Sequence, residues 1–194
     1  MDVEKAIFER RSIRKYESDP IAPDLIRKIL DAGTMAPSGI NLQPWYFVAV
    51  TGEEALRELT SIMKTAAERT EPTLRERFPD NPEVVEESTK FIWSLGGAPL
   101  VVMSFLYRPD YGERRNTMIQ SVAAATQNML LAAWSLGIGS CWLTAPVETG
   151  VDKDLQARFA PGKGELVNMA TFGYPARIPK APPRKENRIS LGGA

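Results

Sequence analysis

Three short segments of the chain carry side chains whose types and spacing could bind a ligand. The first, RRSIRKY at residues 10–16, places Arg10 and Arg14 four residues apart with Ser12 between them. Guanidinium groups bind phosphate oxygens in pairs, and a serine hydroxyl adds one more hydrogen-bond donor. The segment therefore suits a phosphate group. Alternatively, its arginines complement the negative end of a preceding short helix.

The second segment, MAPSGINLQPWYF at residues 35–47, is richer in polar side chains than a plain connector needs. Asn41 and Gln43 each offer a donor and an acceptor, which suits the edge of a heteroaromatic ring. Gly39 permits a ligand to approach the backbone closely. The alternative is a turn-rich link between a helix and a strand, in which Trp45 fills the core.

The third segment, LGIGSCWLTAP at residues 136–146, contains Gly137 and Gly139, which could let the backbone lie close to a flat ligand. Glycine pairs are common at strand entries, so this segment alone indicates little. Cys141 lies within it. A buried, small apolar role is favoured for this thiol over a redox role.

Composition narrows the chemistry that these segments could perform. The 194 residues include no histidine, one cysteine, 24 basic and 24 acidic side chains, for a formal net charge of +0. Without histidine the chain lacks the commonest general base and the commonest metal ligand. No paired carboxylates occur at metal-ligand spacing, so no metal site is predicted. An enzyme of this composition would rely on a bound organic cofactor.

The same composition bears on partners and location. The balanced charge gives no electrostatic signature of nucleic-acid or membrane binding. A single cysteine excludes an intrachain disulfide framework and fits a reducing compartment. The N-terminus lacks the apolar core of a signal peptide, and no apolar run reaches the length of a membrane span. We therefore expect a cytoplasmic protein with neither nucleic acid nor membrane as a partner.

Hydrophobic spacing predicts the elements that would position the three segments. Helices are predicted over residues 3–11, 22–37, 53–69, 115–137 and 151–160, with Gly33 closing the second. Strands are predicted over residues 45–52, 100–107, 139–144 and 165–175. This alternation predicts a mixed sheet flanked by helices in a single domain over residues 1–194.

Three regions depart from this regular pattern. Residues 70–90 are the most polar part and the most interrupted by prolines, so a mobile, variable helical excursion is expected over about 61–90. The basic, proline-rich tail, about 176–194, is expected to run extended. The helix at 115–137 lacks a clear polar face, and a homodimer is the simplest way to cover it.

Taken together, these segments resemble the family of FMN-dependent nitroreductases. The stretches ERRSIRKY, APSGINLQPWYFVAV, QNMLLAAWSLGIGSCWL and the closing GYP before PPR occur in the order and spacing of that family, over nearly the whole chain. The resemblance implies an α+β fold with a mixed, mainly antiparallel sheet of about four to five strands flanked by helices. It also implies a homodimer that binds two FMN at its interface.

The resemblance implies phosphate-binding roles at both ends of the chain. Arg10, Ser12 and Arg14 match the residues that hold the FMN phosphate and ribityl chain. Arg11 lies beside them and contributes at least its backbone. Arg184, in the tail, matches a second phosphate contact.

The resemblance also assigns the second segment to the flavin ring. Pro37, Ser38, Gly39 and Asn41 match the loop that lies along the isoalloxazine and is usually supplied by the partner subunit. Gln43 is a further member of this set.

Two further matches concern the reactive edge of the flavin and the dimer. Trp142, Leu143 and Thr144 match the segment whose backbone faces that edge. Gln120 or Ser121 matches a contact from the partner subunit, and the register does not distinguish the two.

The function implied by the resemblance is an FMN-dependent oxidoreductase that uses NADH or NADPH to reduce a small acceptor by ping-pong hydride transfer. The acceptor would be of nitroaromatic, quinone or enone type, and the flavin would carry the chemistry without a catalytic side chain. The alternatives are a non-catalytic flavin-binding protein and a member specialised for flavin reduction or dehalogenation. An RNA-binding domain is a further alternative that the balanced charge disfavours.

The acceptor itself and the choice of NADH or NADPH do not follow from the sequence. The residues that cover the second face of the flavin are expected within 61–78 and 107–118. YRPDYGERRN, at 107–116, places two tyrosines and three arginines near a strand end, where ligands often bind. A surface turn is an equally good interpretation of that stretch.

Overall fold

A four-stranded sheet forms the centre of the fold in the computed structural model, which describes residues 2–192. In chain order the strands are β1 (Trp45–Val50), β2 (Leu100–Leu106), β3 (Gly139–Leu143) and β4 (Leu166–Gly173). Their spatial order is β1-β2-β4-β3, and each neighbouring pair is antiparallel. The predicted α+β class and mainly antiparallel sheet are confirmed. Within residues 2–192, parallel pairing is confined to one bridge between Ser12 and Ser140.

Seven α-helices surround the sheet in the described chain. They are α1 (Val3–Glu9), α2 (Pro23–Thr34), α3 (Glu53–Arg77), α4 (Pro82–Ser94), α5 (Arg115–Ser135), α6 (Ala145–Glu148) and α7 (Asp152–Phe159). The Asp2 side chain caps α1 by accepting a hydrogen bond from the Glu4 amide at 3.1 Å. Proline stands in the first turn of α2 and α4, where a missing N–H removes no helical hydrogen bond.

The two longest departures from the predicted helices lie in α3 and α4. α3 continues to Arg77 and passes through Pro72, well beyond the predicted end at residue 69. The proline-interrupted segment that follows was expected to be a mobile, variable helical excursion, and it forms α4, a helix whose bounds the hydrophobic spacing did not predict. The buried face of α3, which includes Leu59 and Met63, packs into the core. Packing of an apolar face contributes most of the stability of helices in proteins, and here it outweighs the local effect of proline.

Alternating residues of the strands feed hydrophobic clusters on the two faces of the sheet. On β2, Val101, Met103 and Phe105 join the cluster that also contains side chains of α3, α4 and α7. Leu100 and Val102 join the cluster formed with α2 and α5. Because β2 is buried on both faces, its sequence is apolar at every position except Ser104 rather than alternating.

α5 is covered on one side by its own chain. Nine of its side chains are buried: Met118, Ser121, Val122, Ala125, Thr126, Met129, Leu130, Ala133 and Trp134. α2 and the sheet cover one side of the helix, whereas Ile119, Ala123, Ala124 and Leu131 are only half-buried, so the expectation that a partner subunit completes its cover stays a prediction. Gly33 lies inside α2 rather than ending it, and a Cβ there would come within 2.9 Å of Met129 Cγ. Glycine thus allows α2 to approach α5 closely.

No helix of the described chain combines the length and the apolar character needed to cross a membrane.

Candidate functional site

Residues 10–16 lie along β3, which is an edge strand of the sheet. The Ile13 amide donates to the Ser140 carbonyl at 2.9 Å. A Cβ on Gly139 would lie 2.6 Å from Ile13 Cγ1 and 2.9 Å from Pro175 Cγ. The prediction that Gly139 admits a flat ligand is therefore wrong, since the space beside it holds the chain's own basic segment and its closing proline.

Tyr16 anchors the end of this basic segment. Its hydroxyl donates to the Ile13 carbonyl at 2.6 Å and pairs with Thr171 Oγ1 at 2.8 Å. Burial raises the pKa of Tyr16 well above its ordinary value, so the hydroxyl stays protonated. The Tyr16 amide also donates to the Gly96 carbonyl at 3.2 Å. Sequence reasoning assigned no role to Tyr16, although it closes the RRSIRKY segment.

Arg10 is the central positive charge of this region. Burial has the largest effect and lowers the pKa of the Arg10 guanidinium. Cys141 raises this pKa, whereas the positive charges of Arg11 and Arg184 lower it further. Arg10, Arg11, Arg14 and Arg184 make no ion pair with any carboxylate in residues 2–192. Arg10 and Arg184, which come from opposite ends of the chain, thus bring uncompensated positive charge together. Such a cluster suits a phosphate group.

The other two arginines of the basic segment have contacts of their own. The Arg11 guanidinium donates to the carbonyls of Phe8 at 2.7 Å and Arg10 at 2.8 Å, at the end of α1. The interpretation as a helix-terminus arginine therefore holds for Arg11, whose Nη1 atom makes both bonds. The Arg14 guanidinium lies 5.8 Å from the centre of the Phe91 ring, at cation–π distance.

Cys141 is buried next to these arginines. Burial has the largest effect and raises the pKa of its thiol, whereas the Arg14 charge and a hydrogen bond with Ser12 act in the opposite direction. A thiol with a raised pKa is a poor nucleophile at neutral pH. The geometry agrees with the interpretation of Cys141 as a small buried side chain.

The loop before β1 has an unusual backbone. Three of its residues have a positive φ: 48° at Ile40, 56° at Asn41 and 46° at Gln43. Asparagine tolerates this left-handed region, but a β-branched isoleucine rarely adopts it. Such conformations cost about 1–3 kcal/mol each and persist only where the surrounding structure holds them, often at ligand-binding sites.

A set of hydrogen bonds holds this strained loop. Ser38 Oγ accepts from the Gln43 amide at 3.0 Å, and the Gln43 side-chain amide donates to Asn41 Oδ1 at 3.1 Å. The Gly39 amide donates to Ser121 Oγ at 3.2 Å. The polar residues predicted to recognise a ring edge thus bond to one another and keep the loop in one shape.

The loop rests on the N-terminal part of α5. A Cβ on Gly39 would lie 2.6 Å from Thr117 Cγ2, so this glycine serves the contact between loop and helix. Pro37 is exposed at the start of the loop. Ser121 is buried beneath it and Gln120 is exposed, so Gln120 is the one of the two that a partner subunit could reach.

The side chains of the third segment are mostly occupied. Leu143 is buried in the cluster of α3, α4 and α7, and the half-buried Trp142 packs with the cluster on the other face. Thr144 is exposed, and its hydroxyl donates to Glu148 Oε1 at 2.7 Å. Any contact of this segment with a ligand would therefore rely chiefly on its backbone.

Strand order separates the predicted site residues into two groups. The arginines and residues 142–144 lie at β3, whereas loop residues 37–43 lead into β1 at the opposite edge. Three strand spacings, about 14 Å, lie between those edges. Helices cover both faces of the sheet between them. Within one chain the loop and the arginines thus lie at opposite edges of the sheet.

The strain at Ile40 gives a direct prediction about stability. Because Ile40 is 71% exposed and asparagine tolerates positive φ, Ile40→Asn should raise the free energy of unfolding by about 1 kcal/mol. Urea denaturation of the two proteins measures this difference. Met35→Asn is the matched control, because Met35 is 77% exposed at an ordinary φ of −82°. An equal gain in both variants would show that lost exposed apolar surface, not relieved strain, is responsible.

Comparisons with known proteins agree with this architecture. A candidate NADH dehydrogenase/NAD(P)H nitroreductase of Archaeoglobus fulgidus is 31% identical over 172 residues, covering 88% of this chain and 84% of that protein. Iodotyrosine deiodinase of Thermotoga neapolitana is 29% identical over 182 residues, covering 92% of this chain and 91% of that protein. The crystal structure of a nitroreductase with bound FMN from Bacteroides fragilis superposes with a TM-score of 0.76 at 27% identity, covering 98% of each chain.

The sequence profile of the Nitroreductase family matches residues 7–174, which include the basic segment, the strained loop and all four strands. On this match, over most of its length, the chain belongs to the nitroreductase family.

Proposed function

We propose that the protein is an FMN-dependent oxidoreductase that takes electrons from NADH or NADPH and reduces a small organic acceptor. The family membership and the FMN in the Bacteroides fragilis structure support this proposal. The name of the Archaeoglobus fulgidus relative supports the choice of nicotinamide donor. When bound, FMN would supply the two-electron chemistry.

The separation of the two residue groups within one chain carries the proposal of a shared site. Because the loop at residues 37–43 and the arginines lie at opposite edges of the sheet, we propose that a second copy supplies one of the two groups. A two-fold symmetric homodimer would place the loop of each chain beside the arginines of the other. The protein would then hold two identical sites at its interface.

The residues present fit the proposed cofactor. Arg10 is half-buried and has no carboxylate partner in the described chain, so a phosphate would satisfy a charge that the fold leaves uncompensated. Arg184 and the Ser12 hydroxyl stand beside it as further donors. In the partner, the preformed loop would present the Asn41 side chain to a ring edge.

The chain's own contribution to the reaction is positional and electrostatic. The arginines would fix the phosphate end of the cofactor and neutralise its negative charge. The internal hydrogen bonds of the loop are already made before a ring binds, so little ordering entropy is lost when the loop contacts it. No side chain needs to move a proton, which agrees with the absence of histidine.

Spectroscopy of the purified protein tests the cofactor and the donor. We expect a yellow protein that absorbs near 450 nm and bleaches when NADH or NADPH is added without oxygen. A yellow protein that neither nicotinamide reduces would favour the non-catalytic flavin-binding alternative. A colourless protein that does not bind added FMN would overturn the proposal.

Mixing two defective variants tests the shared site. Arg10→Ala lacks the phosphate contact, and a double variant with Ser38→Ala and Asn41→Ala lacks the ring contacts. If each site combines two chains, a mixed dimer contains one intact site, so co-refolding the two variants should restore part of the FMN binding. If both groups acted within one chain, mixing would restore none.

Reductive dehalogenation is a second candidate reaction. The Thermotoga neapolitana relative named iodotyrosine deiodinase matches nearly the whole chain. Release of iodide from an iodophenol by the FMN-loaded, dithionite-reduced protein would favour this candidate. Nitroarene reduction without iodide release would exclude it.

A further inference from the structure

A cavity of about 300 Å³ lies beside the strained loop, at the N-terminal end of β1. It is lined by Leu42, Gln43, Trp45, Tyr107, Arg108 and Tyr111. Half of these residues come from the loop and the start of β1, and the other half from the segment that leaves β2. Its volume is at the lower end of the range for pockets that bind small organic molecules.

The frame of this cavity is held from several directions. The Tyr107 amide donates to the Pro44 carbonyl at 2.7 Å, which ties the two walls together. Lys163 Nζ lies 4.1 Å from the centre of the Tyr107 ring. A Cβ on Gly164 would collide with the Arg108 carbonyl, so Gly164 packs against the backbone there. The cavity is therefore a preformed feature of the fold.

The lining combines aromatic rings with a free positive charge. Trp45, Tyr107 and Tyr111 offer ring surfaces that suit a planar aromatic ligand. The exposed Arg108 makes no ion pair within residues 2–192. The nearby Asp110 carboxylate accepts from the Gly112 amide at 2.7 Å instead.

The side-chain amide of Gln43, which lines the cavity, is oriented by a hydrogen bond within the strained loop. Gln43 has a φ of 46°, and its side chain donates to Asn41 Oδ1, a residue of the proposed ring-binding set. A ligand in the cavity would therefore lie against the same loop that we propose to contact the flavin. This connection makes the cavity a candidate site for the acceptor.

We propose that this cavity binds a planar aromatic carboxylate, with the ring among the tyrosines and the carboxylate on Arg108. The inference rests on the proposed function, because it identifies the class of acceptor that the enzyme reduces. For a nitrobenzoate, reduction to the nitroso compound consumes two electrons and two protons, from NAD(P)H and one solvent proton, and releases water. Arg108 is here a binding residue for the acceptor and takes no part in proton transfer.

Equilibrium binding of a non-reducible probe tests the cavity independently of turnover. With the FMN-loaded protein, 4-aminobenzoate should bind more tightly than the neutral 4-aminobenzamide, as measured by isothermal calorimetry. Arg108→Gln should weaken 4-aminobenzoate binding by about tenfold, because a charge-assisted hydrogen bond at a partly exposed site is lost. Arg108→Lys should retain part of that affinity. Arg114→Gln, on the same segment but outside the cavity lining, should not change it.

Steady-state kinetics with 4-nitrobenzoate and 4-nitrobenzamide completes the test. Arg108→Gln should lower kcat/KM for 4-nitrobenzoate by raising its KM. The kcat/KM for 4-nitrobenzamide should stay unchanged. Equal binding of the acid and amide probes, or an Arg108→Gln variant that binds 4-aminobenzoate like the wild type, would overturn the inference. If such a protein still reduced nitroarenes with NAD(P)H, the proposed function would stand. Arg108-dependent binding of 4-aminobenzoate without nicotinamide-dependent reduction of any acceptor would instead remove the proposed function.

Discussion

The Arg10→Ala variant is expected to bind FMN more weakly by about 1.5–3 kcal/mol, which is roughly 10- to 150-fold in the dissociation constant. Arg10 is half-buried, has no carboxylate partner in the described chain, and lies near Arg184. A phosphate that accepts hydrogen bonds from this guanidinium loses a charge-assisted contact in the variant. Titration of FMN fluorescence with the apoprotein measures the change.

Lys15→Ala is the matched control for Arg10→Ala. Lys15 lies on the same segment, and its replacement by alanine removes the same charge, but its side chain is exposed. We expect its FMN affinity to stay close to that of the wild type, with a small loss at low salt from the weakened field. Equal losses in both variants would mean that net charge, rather than a direct contact of Arg10, governs binding. Unchanged FMN retention in Arg10→Ala would contradict the phosphate assignment.

The Gly96→Ala variant is expected to lose about 3 kcal/mol of stability. Gly96 has a φ of 66°, and a Cβ there would collide with the backbone carbonyl of Arg14. The Gly96 carbonyl also accepts from the Tyr16 amide, so the whole basic segment must shift to make room. Urea denaturation should show a lower midpoint, and the displaced Arg14 should also weaken FMN binding.

Gly97 offers a control next to this position. Its φ is 73°, but a Cβ there would meet no atom within 4 Å. Gly97→Ala therefore carries the backbone strain without the collision and should cost only about 1 kcal/mol. FMN affinity should be unchanged in this variant. If Gly96→Ala and Gly97→Ala lowered the free energy of unfolding equally, the close contact between Gly96 and the basic segment would contribute nothing to stability.

The strands were the most predictable part of the fold. All four predicted apolar stretches contain a strand, because a sheet covered on both faces favours strands that are mostly apolar, such as Leu100–Leu106. The helix through Pro72 was not predictable, since its stability comes from packing against the core and not from local propensity. The order β1-β2-β4-β3 depends on contacts distant in sequence, which local patterns do not report.

For the candidate site, the sequence indicated side-chain types better than it indicated contacts. The spacing of Arg10 and Arg14 does not reveal that Arg11 between them bonds to helix carbonyls. The glycine pattern does not reveal that Gly139 makes room for Ile13. A positive φ at Ile40 has no sequence signature at all, because isoleucine is among the residues least suited to it.

The positive cluster joins the two ends of the chain, since Arg10 follows the first helix and Arg184 lies in the tail. Ribosomes add roughly 5–20 residues per second, so Arg10 emerges on the order of ten seconds before Arg184 is made. Full-strength phosphate binding would thus begin only after residue 184 has been made. A chain that stops after β4 would contain the four strands of the sheet yet lack Arg184, so it should bind the proposed cofactor more weakly than a chain that includes Arg184.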